Sequence, residues 1–226
     1  MQETTDPDEQ RQLQVGTEQL ARHLSDLARL TPPAMVGSGI FHTLRGLEAT
    51  ATDTYFGLFN CLLKPAQKDF GFTARSRRSP TDRINCLLNF VYGMIRHDCV
   101  AALTATGLDP AVGFLHSERP NRPALALDLM EEFRPWLADR LVIDLVVRKQ
   151  LGAEHFCSRE DGAVELSDAG GEVLVSAYQR RKEETLHHPL LDREFQIGQL
   201  PVIQARLLGR LFQGEFVEYL SLIPKY

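Results

Sequence analysis

No stretch of the 226-residue chain is apolar for the roughly 18 to 20 residues that a membrane-spanning helix needs. The first ten residues, MQETTDPDEQ, are acidic and polar where a secretory leader would be basic and then apolar, so the expected compartment is the cytoplasm. Cysteine is scarce: Cys61, Cys86, Cys99 and Cys157 stand far apart with no C-x-x-C pair. That spacing reads as neither a zinc knuckle nor a disulfide framework, and it leaves reduced thiols in a core as the expected state. Internal repeats and low-complexity tracts are missing too. Nor is there an excess of positive charge. Thirty acids against 25 Lys and Arg give a net charge of −5, which argues against a strongly basic nucleic-acid binder but not against a local patch.

What the chain does have is enough apolar content, 43%, for one large or two small domains with a real core. Apolar residues recur at helical spacing through QLQVGTEQLARHLSDLARL, through residues 40 to 63, and from Pro80 to Gly107. They do so again after Pro135 and in two segments at about 171 to 186 and 198 to 213. Only residues 153 to 174 break the pattern, with short alternation and a DG turn at 161 and 162. The expected fold is mainly α: a multi-helical domain over 35–226 with one small β-hairpin near 153–174, preceded by a tail and linker helix over 1–34, of which residues 1 to 10 fray.

The chemistry gathers in GFLHSERPNRPALALDLMEEFR, residues 113 to 134. On a helix, Asp128 and Glu131 are three apart and share one face, while Glu132 points away. Burying two carboxylates side by side costs several kcal/mol unless cations or donors compensate them, so the pair implies a partner. His116 can fold back over the same face across the Pro-rich loop. A neutral imidazole with carboxylates suits Mn²⁺ or Mg²⁺, whereas zinc more often recruits Cys or a second His. Glu48, a lone acid among small and apolar residues in GLEATATDTYF, is the candidate third ligand. The same spacing would also serve a buried Arg to Glu salt bridge beside a core histidine.

Positive charge collects in two places. Lys64, Lys68, Arg75, Arg77, Arg78 and Arg83 outnumber Asp69 and Asp82 over residues 63 to 83, and Arg180, Arg181 and Lys182 stand together in YQRRK. Such runs are often solvated faces, yet an exposed loop of this composition can follow a phosphate backbone. Tyr55 reads as core, Asp82 and Asn85 as caps, and His187 with His188 as no metal pair.

Four strings, LRGLEATATDTYF, SPTDRINCLLNFVYGMI, GLDPAVGFLHSERPNRPALALDLMEEFRPWLADR and EHFCSREDGAVELSDAGG, resemble in order and spacing the CRISPR-associated integrase family, called CRISPR-associated protein one. The resemblance covers about residues 35 to 215 and is most like the subtype I-C branch. It implies that Glu48, His116 and Glu131 bind a catalytic divalent metal, Mn²⁺ or Mg²⁺, and that Asp128 supports them; the two basic runs make Arg75, Arg77 and Arg78, and after them Arg180 and Arg181, the expected DNA contacts. The implied reaction is attack by the 3′ hydroxyl of a short duplex, the prespacer, on a phosphodiester of a CRISPR repeat, so the implied activity is that of a metal-dependent endonuclease and integrase. The implied partners are double-stranded DNA, CRISPR-associated protein two, an iron-sulfur processing nuclease of the same locus, and a second copy in a homodimer. The family's N-terminal β domain has no counterpart in residues 1 to 34, and Ala49 stands where many relatives have Gly. Two rivals stay in view: a DNA-binding or assembly module without turnover, and an HD-type phosphohydrolase built on His97 and Asp98.

Overall fold

The computed structural model describes residues 6–30, 39–63, 70–76 and 79–224. By contact the chain divides into two compact units, Met1–Asn85 and Cys86–Tyr226. This is not the boundary expected after residue 34.

In the first unit, helix α1 (Pro7–Ala28) packs along α2 (Gly39–Gly57). α1 begins earlier than the expected frayed tail allows, because Asp6 caps it: the Asp6 carboxylate accepts the Asp8 N–H at 3.0 Å, and Pro7 supplies a preset φ. Gly16 sits at the α1 crossing, where a Cβ would come within 2.3 Å of the Leu58 side chain. α2 stops at Gly57, short of the predicted residue 63, and the chain tightens into a 3-10 turn, Phe59–Leu62. Tyr55, Phe56, Phe59 and Phe72 pack ring against ring at 5.1 to 6.3 Å, which fixes that turn in an apolar nest. Tyr55 is therefore a packing residue, as its place in the helix predicted.

Helix α3 (Arg83–Ala105) starts in the first unit and runs into the second. Its first turn is capped by Asp82, which accepts the Asn85 N–H at 2.7 Å and its side-chain amide at 2.6 Å. Ile84, Leu87, Leu88, Val91 and Ile95 recur at three- and four-residue steps and are all within 1% of complete burial. In the second unit follow α4 (Ala124–Met130), six residues of π-helix (Arg134–Asp139) and α5 (Arg140–Val147). Then come α6 (Asp168–Glu183) and α7 (Leu200–Phe212). The expected hairpin is present as β1 (Phe156–Ser158) paired with β2 (Val164–Leu166), with Gly162 at φ +82° in its tip. A second hairpin, unforeseen, pairs β3 (Thr185–His188) with β4 (Arg193–Gln196) and turns through Asp192 at φ +50°. The mainly α expectation holds. No described helix is long and apolar enough to cross a membrane.

Candidate functional site

Five of the seven α4 residues are buried, so the helix is pinned by packing and Asp128 is held at a fixed place on its surface. The segment Gly113–His116 crosses directly over it. A Cβ on Gly113 would lie 2.7 Å from Ala124 and 2.9 Å from Asp128 Oδ2, so only glycine permits this approach. The closeness lets three successive backbone N–H groups reach one carboxylate. Phe114 and Leu115 donate to Oδ2 at 2.6 and 3.1 Å, and His116 donates to Oδ1 at 2.9 Å. The His116 ring closes the set, with Nδ1 2.7 Å from Oδ1.

With Asp128 ionised, Nδ1 carries the proton and donates it, which leaves the Nε2 lone pair for another ligand. Burial raises the Asp128 pKa. The hydrogen bonds from the His116 ring and from the Phe114 and His116 amides outweigh burial and bring it below the usual 3.8. His116 and Asp128 are 13% and 14% exposed, so this pair is nearly dry.

Nε2 of His116 lies 4.0 Å from Glu131 Oε1, and Glu131 is 31% exposed. Glu131 is the residue just past α4, and Arg134 Nη1 donates to both its oxygens at 2.7 Å. Arg134 stacks over the Tyr92 ring with its guanidinium carbon 4.5 Å from the centroid, and the Tyr92 hydroxyl donates to the buried Asp139. Burial would lower the Arg134 pKa, but the Glu131 charge and its hydrogen bonds raise it overall, so the guanidinium is a permanent cation there. The salt-bridge alternative is thus realised at Glu131. It does not use up the carboxylate, whose two oxygens carry about four lone-pair sites.

Glu132 points the other way, as its spacing required, into a buried cluster with Gln204 and Tyr219. Glu48 lies half-buried on α2 in the first unit, whereas His116, Asp128 and Glu131 belong to the second. Among the described residues, no three His, Cys, Asp or Glu side chains form a ready metal cluster. The donor set is chemically apt all the same: an imidazole nitrogen fixed in one tautomer faces a carboxylate oxygen, which fits a hard to intermediate divalent ion.

The basic residues are not alike. Arg75 is half-buried, with Nη1 2.8 Å from Asn85 Oδ1 and its guanidinium 5.9 Å from the Phe56 ring centre, so it braces its own loop. Arg77 and Arg78 lie outside the described residues. Arg180 is exposed in the last turn of α6, and Arg181 pairs with Glu184. Asp98 is held by Lys182 Nζ at 2.7 Å and by the Tyr178 hydroxyl at 2.8 Å, while His97 is exposed, which leaves the H-D dipeptide without an HD-type metal site among the described residues. His187 bonds to Asp192, and His188 is buried against Gln204, so these two face opposite sides of β3. Gly113, Arg134 and Tyr92 were not read from the sequence as site residues. The glycine directly before Phe-Leu-His is a signal for the first of them; nothing in the sequence marks the other two.

The family model described as "CRISPR associated protein Cas1" matches residues 2–180. CRISPR-associated endonuclease Cas1 2 of Rhodospirillum rubrum is 47% identical over 176 residues, 78% of this chain and 51% of its own length. CRISPR-associated endonuclease Cas1 1 of Moorella thermoacetica is 41% identical over 218 residues, 96% of this chain and 61% of its own. The chain therefore spans between half and two thirds of these relatives. Among solved structures, a Cas1 protein from Thermotoga maritima superposes with a TM-score of 0.75 at 26% identity, covering 93% of this chain and 64% of that one. Other matches have composite names: a Cas4 exonuclease/Cas1 endonuclease fusion of Geobacter sulfurreducens, 36% identical over 80% of this chain and 33% of its own length, and a partial Cas6-RT-Cas1–Cas2 complex with a TM-score of 0.72 at 25% identity, covering 93% of this chain and 61% of that one. On the strength of the matched family model and these identities, the chain belongs to the CRISPR-associated Cas1 family.

Proposed function

We propose that this chain carries the metal-dependent endonuclease and integrase site of CRISPR adaptation, in which the 3′ hydroxyl of a short DNA duplex attacks a phosphodiester at the end of a CRISPR repeat. The observation that carries the reading is the four-donor hold of Asp128 on the His116 loop, which frees His116 Nε2 to act opposite Glu131. In this reading His116 and Glu131 would hold Mn²⁺ or Mg²⁺, which would supply Lewis acidity toward phosphate oxygens, and Glu48 is the third ligand that the family resemblance implies. His116 and Glu131 act as ligands, not as general bases. Asp128 keeps the imidazole in its ligating tautomer, and Arg134 keeps Glu131 oriented between turnovers. With water in place of the hydroxyl, the same site nicks DNA.

Exposed Arg180, and the Arg77–Arg78 pair, are the side chains we assign to the phosphate backbone; Arg75 serves the fold of its loop first. The fusion and the complex named above support a Cas4-type nuclease, the iron-sulfur processing enzyme, and CRISPR-associated protein two as partners. The subtype I-C assignment and a homodimer rest on the sequence strings alone.

The test is joining and nicking of a 3′-OH duplex with a supercoiled, repeat-bearing plasmid, in Mn²⁺ or EDTA, for wild type and Glu131→Ala. Metal-dependent products lost in Glu131→Ala support a working site. A folded wild type that binds Mn²⁺ yet yields no product would instead make the chain a DNA-binding or assembly module.

A further inference from the structure

Immediately beside the Glu131 carboxylate, the next side chain is buried in the opposite direction and bonded more heavily than packing alone requires. Glu132 Oε2 accepts Gln204 Nε2 at 2.6 Å and the Leu222 backbone N–H at 2.7 Å, and its Oε1 accepts the Tyr219 hydroxyl. The Glu132 carbonyl accepts the Trp136 indole N–H at 2.6 Å. Gln204 is completely buried, and its Oε1 lies 2.9 Å from Nε2 of His188, itself 1% exposed. Two separated parts of the second unit thus meet on one carboxylate, helix α7 through Gln204 and the irregular segment after α7 through Tyr219 and Leu222, and hairpin β3–β4 joins them one bond further out, through His188 on Gln204.

That last segment, residues 213–224, has no helix or strand of its own, and most of its residues are exposed. Leu222, 2% exposed, is its buried anchor, and Gln204 Nε2 also reaches the Tyr219 hydroxyl at 2.9 Å. A segment without a backbone ladder is held by those few points, and they converge on Glu132.

We propose that residues 213–224 act as a strap whose Tyr219 and Leu222 contacts to Glu132 fix the turn that presents Glu131, making Tyr219, Gln204 and Glu132 positioning residues of the metal site. The inference rests on the proposed reading of His116 and Glu131 as metal ligands. The geometry is a lever of one residue: consecutive side chains on a helical turn diverge by about 100°, so locking Glu132 inward sets where Glu131 points outward. The Glu132 carboxylate is ringed by uncharged donors: an amide side chain, a hydroxyl and a backbone N–H. A carboxylate so placed depends on each of its donors, which is what a strap contact requires.

The experiment compares Tyr219→Phe with Tyr178→Phe. Both remove one hydroxyl donor to a partly buried carboxylate in the same unit, but Tyr178 serves Asp98, whose other bond is to Lys182 and not to the Glu131–Glu132 turn. Two readouts are taken on the 226-residue chain: hydrogen–deuterium exchange of peptides spanning residues 124–136 without metal, and the Mn²⁺ dissociation constant from the free Mn²⁺ electron paramagnetic resonance signal. Thermal unfolding reports the shared loss of stability. The strap requires Tyr219→Phe, and not Tyr178→Phe, to speed exchange across residues 128–134 and to weaken Mn²⁺ binding by about tenfold, the lower end of what outer partners of metal ligands contribute. Equal exchange and equal Mn²⁺ affinity in the two variants would overturn the strap while leaving the metal site intact. Selective exchange in a wild type that binds no Mn²⁺ would uphold the strap as the lock on this turn and overturn the metal reading instead.

Discussion

Replacing Asp128 by Asn tests the centre of the site, because it keeps the shape and removes the charge on which four donors converge. The amide has one oxygen, so it can satisfy either the Oδ2 pair, Phe114 and Leu115 N–H, or the Oδ1 pair, His116 N–H and Nδ1. The other pair then meets an NH₂ group. Charge-assisted bonds are worth about 1.5 to 3 kcal/mol each, and relief from burying the carboxylate returns part of the two that are lost, which leaves Asp128→Asn less stable by about 3 kcal/mol. If the amide nitrogen faces Nδ1, the ring must accept there and carry its proton on Nε2, which abolishes the ligating lone pair.

The pH dependence has a definite sign. The folded pKa of Asp128 lies below the unfolded 3.8, so its contribution is present in full above that value and is lost as pH falls through the folded pKa. Urea unfolding of both proteins from pH 7 down to 3 should therefore show a constant gap near neutrality that narrows below about pH 4. A gap under about 0.5 kcal/mol at pH 7, or one that does not change on acidification, refutes the account of Asp128 as the ionised anchor of the His116 loop.

Gly113→Ala should push the loop off α4, costing about 1 to 3 kcal/mol in thermal or urea unfolding and lowering Mn²⁺ affinity with it; an unaltered melt would show that the 2.7 Å approach to Ala124 relaxes freely. Asp82→Ala removes the cap of α3 and should cost about 1 kcal/mol in the same assay, with no change in Mn²⁺ affinity.

The parts of the fold that were legible in the sequence are those fixed by local rules. Five apolar positions of α3 repeat at helical steps, and the Asp161–Gly162 pair marks the tip of the first hairpin. The start of α1 was legible too, since Asp6-Pro7 followed by acids is a helix start, but the acidic composition of the first ten residues obscured it. The second hairpin has no such mark: its turn, Pro189 to Asp192, holds no glycine or asparagine, and Asp192 takes up the positive φ itself. The site was half legible. Spacing alone put Asp128 and Glu131 on one face and turned Glu132 away. It could not show that Asp128 holds a loop by three backbone amides, or that Glu132 is tied to residues 72 to 90 positions downstream, because those bonds exist only once distant segments have packed.

The π-helical stretch Arg134–Asp139 follows the turn that carries Glu131 and leads straight into α5. Such a stretch is in effect an α-helix with one residue wound in, which rotates everything beyond it by about 100° relative to everything before. A helical wheel drawn continuously from residue 124 to 147 would therefore put the acids on the wrong side relative to Asp144 and Arg140. It also means that length is under tension here. A single deletion between Glu131 and Arg140 would restore regular winding and turn α4, with Asp128 and Glu131 moving together, by about a quarter turn relative to α5, so the placing of the site is guarded as much by the count of residues in this stretch as by their identity.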